Sequence, residues 1–408
     1  MKYIRFILIP VAILLMSYFL PLLYGYLFTR SDKVPFVLYS EVEQTFVKTE
    51  VQDDKLLRST IDGAKEYTEA EFDSILPTFY ARQLVADNRF PDTLLGRKIN
   101  FQAVRATNFI HRFSPKDINR TPPKAYQLIE SASGRVNLNP AEDIFVFRNH
   151  RICFINGKTN ALDEEKNERF NSVFLNSNLS FPIYKTAGNG NARKEYDEGY
   201  LLLDSKGSLF HFKQVEGKPY LEQIATENLS APILYMELCG FTDRSKLAYI
   251  YTEDGALYFL KHQPYSFQKV DLPKLKHTQE GWMAIGNMFY TTYRIQQNDG
   301  VSFIAIETES GNQVASHTIK FETDRVEQIG KILFPFRLTF SSGESTHIYP
   351  RGELGNLYTL ALSLVLALIY FIRYRKRVTL PLLALSSALI LLSGIYGFMA
   401  LILLGKRS

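Results

Sequence analysis

Hydrophobic positions divide the chain into three parts: uncharged runs at both ends and, between them, short apolar stretches interrupted by polar turns. Phe6–Phe28 contains no charged residue. As a helix rising about 1.5 Å per residue, those 23 positions cover about 35 Å, enough to cross a hydrocarbon core of roughly 30 Å. Lys2 and Arg5 would equally open a signal peptide, but Tyr24–Arg30 offers no small-x-small cleavage site. An uncleaved transmembrane helix over residues 6–28 is therefore expected, behind a cytoplasmic stub of residues 1–5. Further on, Gly355–Ile372 is uncharged for 18 residues and Val378–Leu404 for 27, with the basic run Arg373–Arg377 (RYRKR) between them. This predicts a helical hairpin: transmembrane helices over 355–372 and 378–404, joined by a basic cytoplasmic loop over 373–377. No ionisable residue falls within the three expected spans, which argues against a proton or ion path through them. Ser363 with Ala367, and Ser393 with Gly397, place small residues four apart, a spacing that lets membrane helices approach closely.

The middle of the chain changes character near residue 140. Residues 29–140 read as a mixed α/β part. Thr68–Ala86 opens with a Thr-x-x-Glu capping box, Thr68 with Glu71, and carries Phe72, Ile75, Leu76, Phe79, Tyr80 and Leu84 at helical spacing. Pro77 would kink or restart that helix. Alternating apolar residues over Phe101–Phe113 predict one or two strands. Over residues 141–352 the pattern is repeated strand pairs, each an apolar run, a tight polar turn and a second apolar run. The pairs are Ile144–Ile155, Tyr200–Phe212, Leu247–Leu260, Tyr290–Ile306 and Ile332–Tyr349. The turn glycines Gly207, Gly255, Gly300 and Gly343 stand 48, 45 and 43 residues apart. Such turns favour positive φ, which glycine adopts freely. A period in the forties with aromatic-rich strands is that of a β-propeller, and about five blades would fit. An irregular sandwich or twisted meander with evenly spaced hairpins fits the same spacing. The fold class expected is mainly β, propeller-like or another repeated-hairpin domain, with a small α/β N-terminal portion and three transmembrane helices.

Charge refines where the domain sits. Lys2, Arg5, Arg373, Arg375, Lys376, Arg377, Lys406 and Arg407 exceed the formal net charge of +5, so the rest of the chain carries about −3. A pI near 8.9 therefore reflects membrane flanks, and a nucleic-acid partner is not expected. Basic flanks stay cytoplasmic, which places Lys2, Arg5 and the 373–377 loop inside and the large domain outside, with Lys406 and Arg407 a mild exception. The lipid bilayer is the first expected partner. Cys153 and Cys239 allow either a disulfide or two buried thiols.

Two common catalytic signatures are absent: the chain has no G-x-S-x-G and no H-E-x-x-H. Gly188–Asn191 (GNGN) lacks the Gly-Lys-Ser/Thr ending of a phosphate loop and reads as a plain loop. The seven histidines show no metal-ligand spacing. Acidic clusters at Asp53 and Asp54, at Asp163–Glu165, and at Asp197 and Glu198 lack calcium-loop spacing and read first as solvated faces. No catalytic residue, metal site or cofactor is expected, and the binding residues are left open. Tyr67–Leu84 (YTEAEFDSILPTFYARQL), Arg89–Asp92 (RFPD) and Ala187–Phe212 (AGNGNARKEYDEGYLLLDSKGSLFHF) resemble an uncharacterised domain-of-unknown-function family of bacterial inner-membrane proteins often encoded beside ABC-type transporter genes. The resemblance implies a periplasmic domain on a multi-pass inner-membrane protein, acting as accessory or sensing partner of an ABC-type transporter. The expected function is thus a non-enzymatic module that binds an envelope protein, peptide or glycan. Alternatives are an envelope hydrolase or glycan-processing enzyme using one acidic pair, and a structural scaffold.

Overall fold

Val34–Ile319 forms one compact unit, and Met1–Lys33 with Lys320–Ser408 a second. The computed structural model describes residues 2–28, 34–132, 134, 136–242, 244–262, 264–297, 299–321, 325–340 and 343–404. Helix α1 (Lys2–Phe28) precedes the first unit, which opens as a sheet of β1 (Phe36–Tyr39), β2 (Phe46–Gln52) and β3 (Lys55–Thr60). Helix α2 (Glu69–Ile75) begins at the expected capping box. Thr68 Oγ1 accepts the Glu71 N–H, and the Glu71 carboxylate accepts the Thr68 N–H at 2.8 Å. The helix ends before Pro77 and restarts as α3 (Ala81–Ala86). A short hairpin follows, β4 (Thr93–Leu94) with β5 (Arg97–Lys98). The strands expected over Phe101–Phe113 are half right. Asn100 caps a helix, its side chain accepting the Ala103 N–H at 2.8 Å, so the stretch is α4 (Phe101–Thr107) and then strand β6 (Phe109–Phe113).

After α5 (Pro115–Ile118) come the hairpin β7 (Asp143–Arg148) with β8 (Arg151–Asn156), and α6 (Glu164–Leu175) packed on it. Three larger sheets follow, two of four consecutive strands and one of five. The first holds β9 (Ile183–Gly188), β10 (Tyr200–Asp204), β11 (Leu209–Val215) and β12 (Lys218–Ile224). The second holds β13 (Ile233–Leu238), β14 (Lys246–Thr252), β15 (Leu257–Lys261) and β16 (Ser266–Lys269). The third holds β17 (Gly281–Gly286), β18 (Tyr290–Gln296), β19 (Gly300–Glu307) and β20 (Gln313–Lys320), and β6 joins it along β17. Strands from both sides of residue 140 thus share one sheet.

The central strands are apolar without interruption because both of their faces are buried. On β10, Leu201 and Leu203 pack toward β13–β15, while Tyr200 and Leu202 pack toward β7, β8 and α6. On β14, Ala248 and Ile250 face the first sheet, and Tyr249 and Tyr251 face Trp282 and Tyr293 of the third. The hairpins expected over Ile144–Ile155, Tyr200–Phe212, Leu247–Leu260 and Tyr290–Ile306 are present. Gly207 and Gly255 turn two of them at φ 80° and 89°, whereas Gly300 begins β19. The unit is mainly β, but its sheets do not close into a propeller ring.

In the second unit the hairpin expected over Ile332–Tyr349 is not formed. Val326, Ile329 and Leu333 recur at helical spacing, giving α7 (Arg325–Leu333), which stops before Pro335. Strand β21 (Phe336–Thr339) pairs with β22 (Arg351–Leu354) instead. Helix α8 spans Tyr358–Tyr374 and α9 spans Leu380–Leu404. The expectation of three transmembrane helices is corrected to two candidates. Ile7–Phe28 and Leu380–Leu404 are long and apolar enough to cross a membrane, whereas α8 has only 17 residues. It starts late because the Gly355 N–H donates to the Pro335 carbonyl and Asn356 Oδ1 accepts the Tyr358 N–H, holding residues 355–357 outside the helix. Ser363, Ala367, Ser393 and Gly397 are all buried where α8 meets α9. Between the last two, Gly394 kinks α9 at φ 55°, and a Cβ there would lie 2.9 Å from Pro335 Cγ and 3.0 Å from Ser363 Oγ.

Candidate functional site

Of the acidic clusters singled out in the sequence, one lines a cleft. Asp53 and Asp54 sit exposed on the β2–β3 turn, and Asp163 caps α6 by accepting the Lys166 N–H at 3.0 Å. Asp197 and Glu198 instead lie on the β9–β10 loop, facing the β13–β14 loop across a cavity of about 310 Å³. Gly199 makes this loop possible. Its φ is 68°, and a Cβ there would fall 2.3 Å from the Phe212 carbonyl oxygen, so the chain turns into β10 against β11 only with glycine.

Glu198 is the electrostatic centre. Its Oε1 accepts the Arg244 Nε–H at 2.9 Å, and its Oε2 lies 3.6 Å from Lys213 Nζ and 3.3 Å from His262 Nε2. Arg244 lies flat on Tyr196, its guanidinium carbon 3.6 Å from the ring centroid. Lys213 is buried and donates to Tyr196 Oη at 3.1 Å. Burial lowers the His262 pKa against the pull of Glu198. Around the cleft, Arg193, Lys194 and Arg244 face Glu195, Asp197 and Glu198, so its lining is balanced in charge.

Behind Glu198, His211 is fully buried on β11. Its Nε2 lies 2.6 Å from the Glu198 backbone oxygen, which can only accept, so Nε2 carries the proton. Nδ1 is then the acceptor for Tyr265 Oη at 2.7 Å. Burial holds this histidine down at about 4, so it is neutral near pH 7. Tyr220 Oη is 3.1 Å from Tyr265 Oη and hydrogen-bonds the exposed Glu222 carboxylate, continuing the chain to the surface.

The remaining reactive groups are committed. Asp197 Oδ1 accepts the Gly199 N–H at 2.8 Å, and burial raises its pKa. Cys239 lines the cleft as a free thiol, as Cys153 is free elsewhere, and burial pushes its pKa upward, away from the nucleophilic thiolate. Sequence reasoning missed Lys213, Arg244, His211 and His262. The last two are 51 residues apart, yet their rings come within 6.0 Å. The one available signal was a histidine and a lysine inside the otherwise apolar run LFHFK.

A second buried carboxylate, Glu41, lies beside a separate cavity of about 270 Å³. Thr78 Oγ1 donates to its Oε1, as does Asn287 Nδ2 at 2.7 Å, and Oε2 has no partner among the described residues. Burial raises its pKa to about 7.

The family described as "Domain of unknown function (DUF4857)" matches residues 36–306, from β1 through most of β19, and includes both sites. The chain belongs to this family. No curated protein matches it. Among solved structures, the WD40 domain of SCAP from fission yeast is similar at 12% identity over 76% of this chain and 56% of that one, with a TM-score of 0.25. The β-propeller domain of Cps50 (Swd1) from Myceliophteria thermophila is similar at 7% identity over 72% and 89%, with a TM-score of 0.23. The chain thus spans little more than half of the first of these.

Proposed function

We propose that the chain is a membrane-anchored, non-enzymatic binding module. Its β unit lies on the periplasmic side of the bacterial inner membrane, tethered by α1 and α9. It serves there as accessory or sensing subunit of an ABC-type transporter. The observation that carries the binding role is the cleft at Glu198. It is concave and polar, and its ionisable groups are engaged within the fold rather than held free for chemistry. Alternating charges beside a Tyr196–Arg244 stack suit a polar segment of a protein, peptide or glycan. The transporter role rests on the family resemblance of Tyr67–Leu84 and Ala187–Phe212. A hydrolase using Asp197 and Glu198 is disfavoured, because one carboxylate is tied to a backbone N–H and the other to two cations.

The test places a benzophenone maleimide on an Arg193→Cys variant, at the exposed rim of the cleft. Irradiation of intact cells followed by mass spectrometry is expected to give a crosslink to a transporter subunit. A full yield of folded protein with no crosslinked partner would overturn the proposal.

A further inference from the structure

The outer face of the third sheet carries a second, chemically different groove. On this face Arg112 of β6 and Arg294 of β18 stand directly opposite Met283 of β17, one from each side. Directly paired residues point to the same face, so the two guanidinium groups flank a methionine in one row. Among the described residues neither arginine has a carboxylate in ion-pair range, and Arg294 Nε is buried without a hydrogen-bond partner. Around them lies a cavity of about 820 Å³ with mainly apolar walls. Ile110 and Ile285 extend the floor, and the Phe36 and Phe79 rings, 5.8 Å apart, form one side. Ile110 is 59% exposed and Phe79 38%, so this apolar surface is open to solvent. The one nearby acid, Asp117, is occupied at the start of α5, where its side chain accepts the Ser114 N–H at 2.9 Å.

We infer that this groove binds a free anionic amphiphile, its carboxylate or phosphate head group held between Arg112 and Arg294 and its apolar body laid over Ile110, Met283 and Ile285 against Phe36 and Phe79. Two unpaired guanidinium groups supply charge-assisted donors for one oxyanion, including the donor that Arg294 leaves unsatisfied. The apolar walls gain by being covered, and an uncharged polar ligand would satisfy neither part of the groove. This site is separate from the Glu198 cleft and does not depend on the function proposed for it.

Trp282, next to Met283 on β17, points to the opposite, buried face, so occupancy is read by isothermal titration calorimetry with empty discs subtracted. The full chain in phosphatidylcholine nanodiscs is titrated with decanoate, and with decanol as the uncharged control. Decanoate is expected to give a saturable binding heat, and decanol is expected to bind at least tenfold more weakly. Arg112→Gln, on an exposed side chain, should weaken decanoate about tenfold, the loss of one charge-assisted contact. Arg294→Gln should do the same where its circular dichroism matches the parent protein. Equal affinity for decanol, or unchanged decanoate binding in Arg112→Gln, would overturn the inference. So would a response that appears only when phosphatidylglycerol is added to the discs, which would make the ligand a bilayer lipid.

Discussion

Glu41 and His211 are both buried, and burial moves their proton affinities in opposite directions. Glu41 rises from an ordinary value of 4.5 to about 7, so between those limits the unfolded chain releases a proton that the folded protein keeps. Stability from this group is therefore full below pH 4.5 and falls as pH rises to 7. His211 drops from 6.5 to about 4, so its contribution is full above pH 6.5 and falls as pH drops toward 4. Each effect is worth on the order of 3 kcal/mol across its window, and where the windows overlap the slopes cancel. Glu41→Gln keeps an acceptor for Thr78 and Asn287 while removing the titration. Thermal unfolding of the full chain followed at pH 5, 6.5 and 8 should show the variant gaining stability over the parent at pH 8. It should also show a variant more acid-sensitive than the parent between pH 6.5 and 5. Identical pH profiles would mean that Glu41 is ionised in the folded protein.

At the scale of elements, α2 illustrates local coding. Its reciprocal pair of Thr68 and Glu71 satisfies two backbone donors at the start of a helix of only seven residues. Thr68→Ala should cost about 1 kcal/mol, read as a lowered denaturation midpoint with an unchanged slope. This helix, the restart after Pro77 and four of five hairpins were legible in the sequence because turn, cap and apolar run lie within a few residues of one another. Two classes of feature were not. Strands such as Tyr200–Asp204 are covered on both faces, so their period of two vanishes into a continuous apolar run. The partner of β6 and the convergence of Glu198, Lys213 and His262 depend on how sheets stack, which no local window records. The false hairpin over Ile332–Tyr349 arose because a short amphipathic helix next to a strand mimics two alternating runs.

At the scale of the whole molecule, spans at α1 and α9 alone place the β unit and the Arg373–Arg377 segment on the same, periplasmic side of the membrane. Ser205 and Arg375 are exposed, and both native thiols are buried, so the background to cysteine labelling is low. In intact cells with a permeable outer membrane, Ser205→Cys and Arg375→Cys should both react with a membrane-impermeant maleimide. Reaction of Ser205→Cys only after lysis would put the β unit in the cytoplasm. The pairing of β6 with β17 bears on how such a molecule is made. Phe113 lies opposite Trp282, so β6 leaves the ribosome long before its partner exists. At about 5 to 20 residues per second, the roughly 170 intervening residues take roughly 10 to 30 s to synthesise. Throughout that interval Phe109 and Phe113 stand on an unpaired strand edge, the kind of template on which nascent chains aggregate. Any factor that shields that edge until β17 arrives is therefore expected to raise the yield of the protein in a cell.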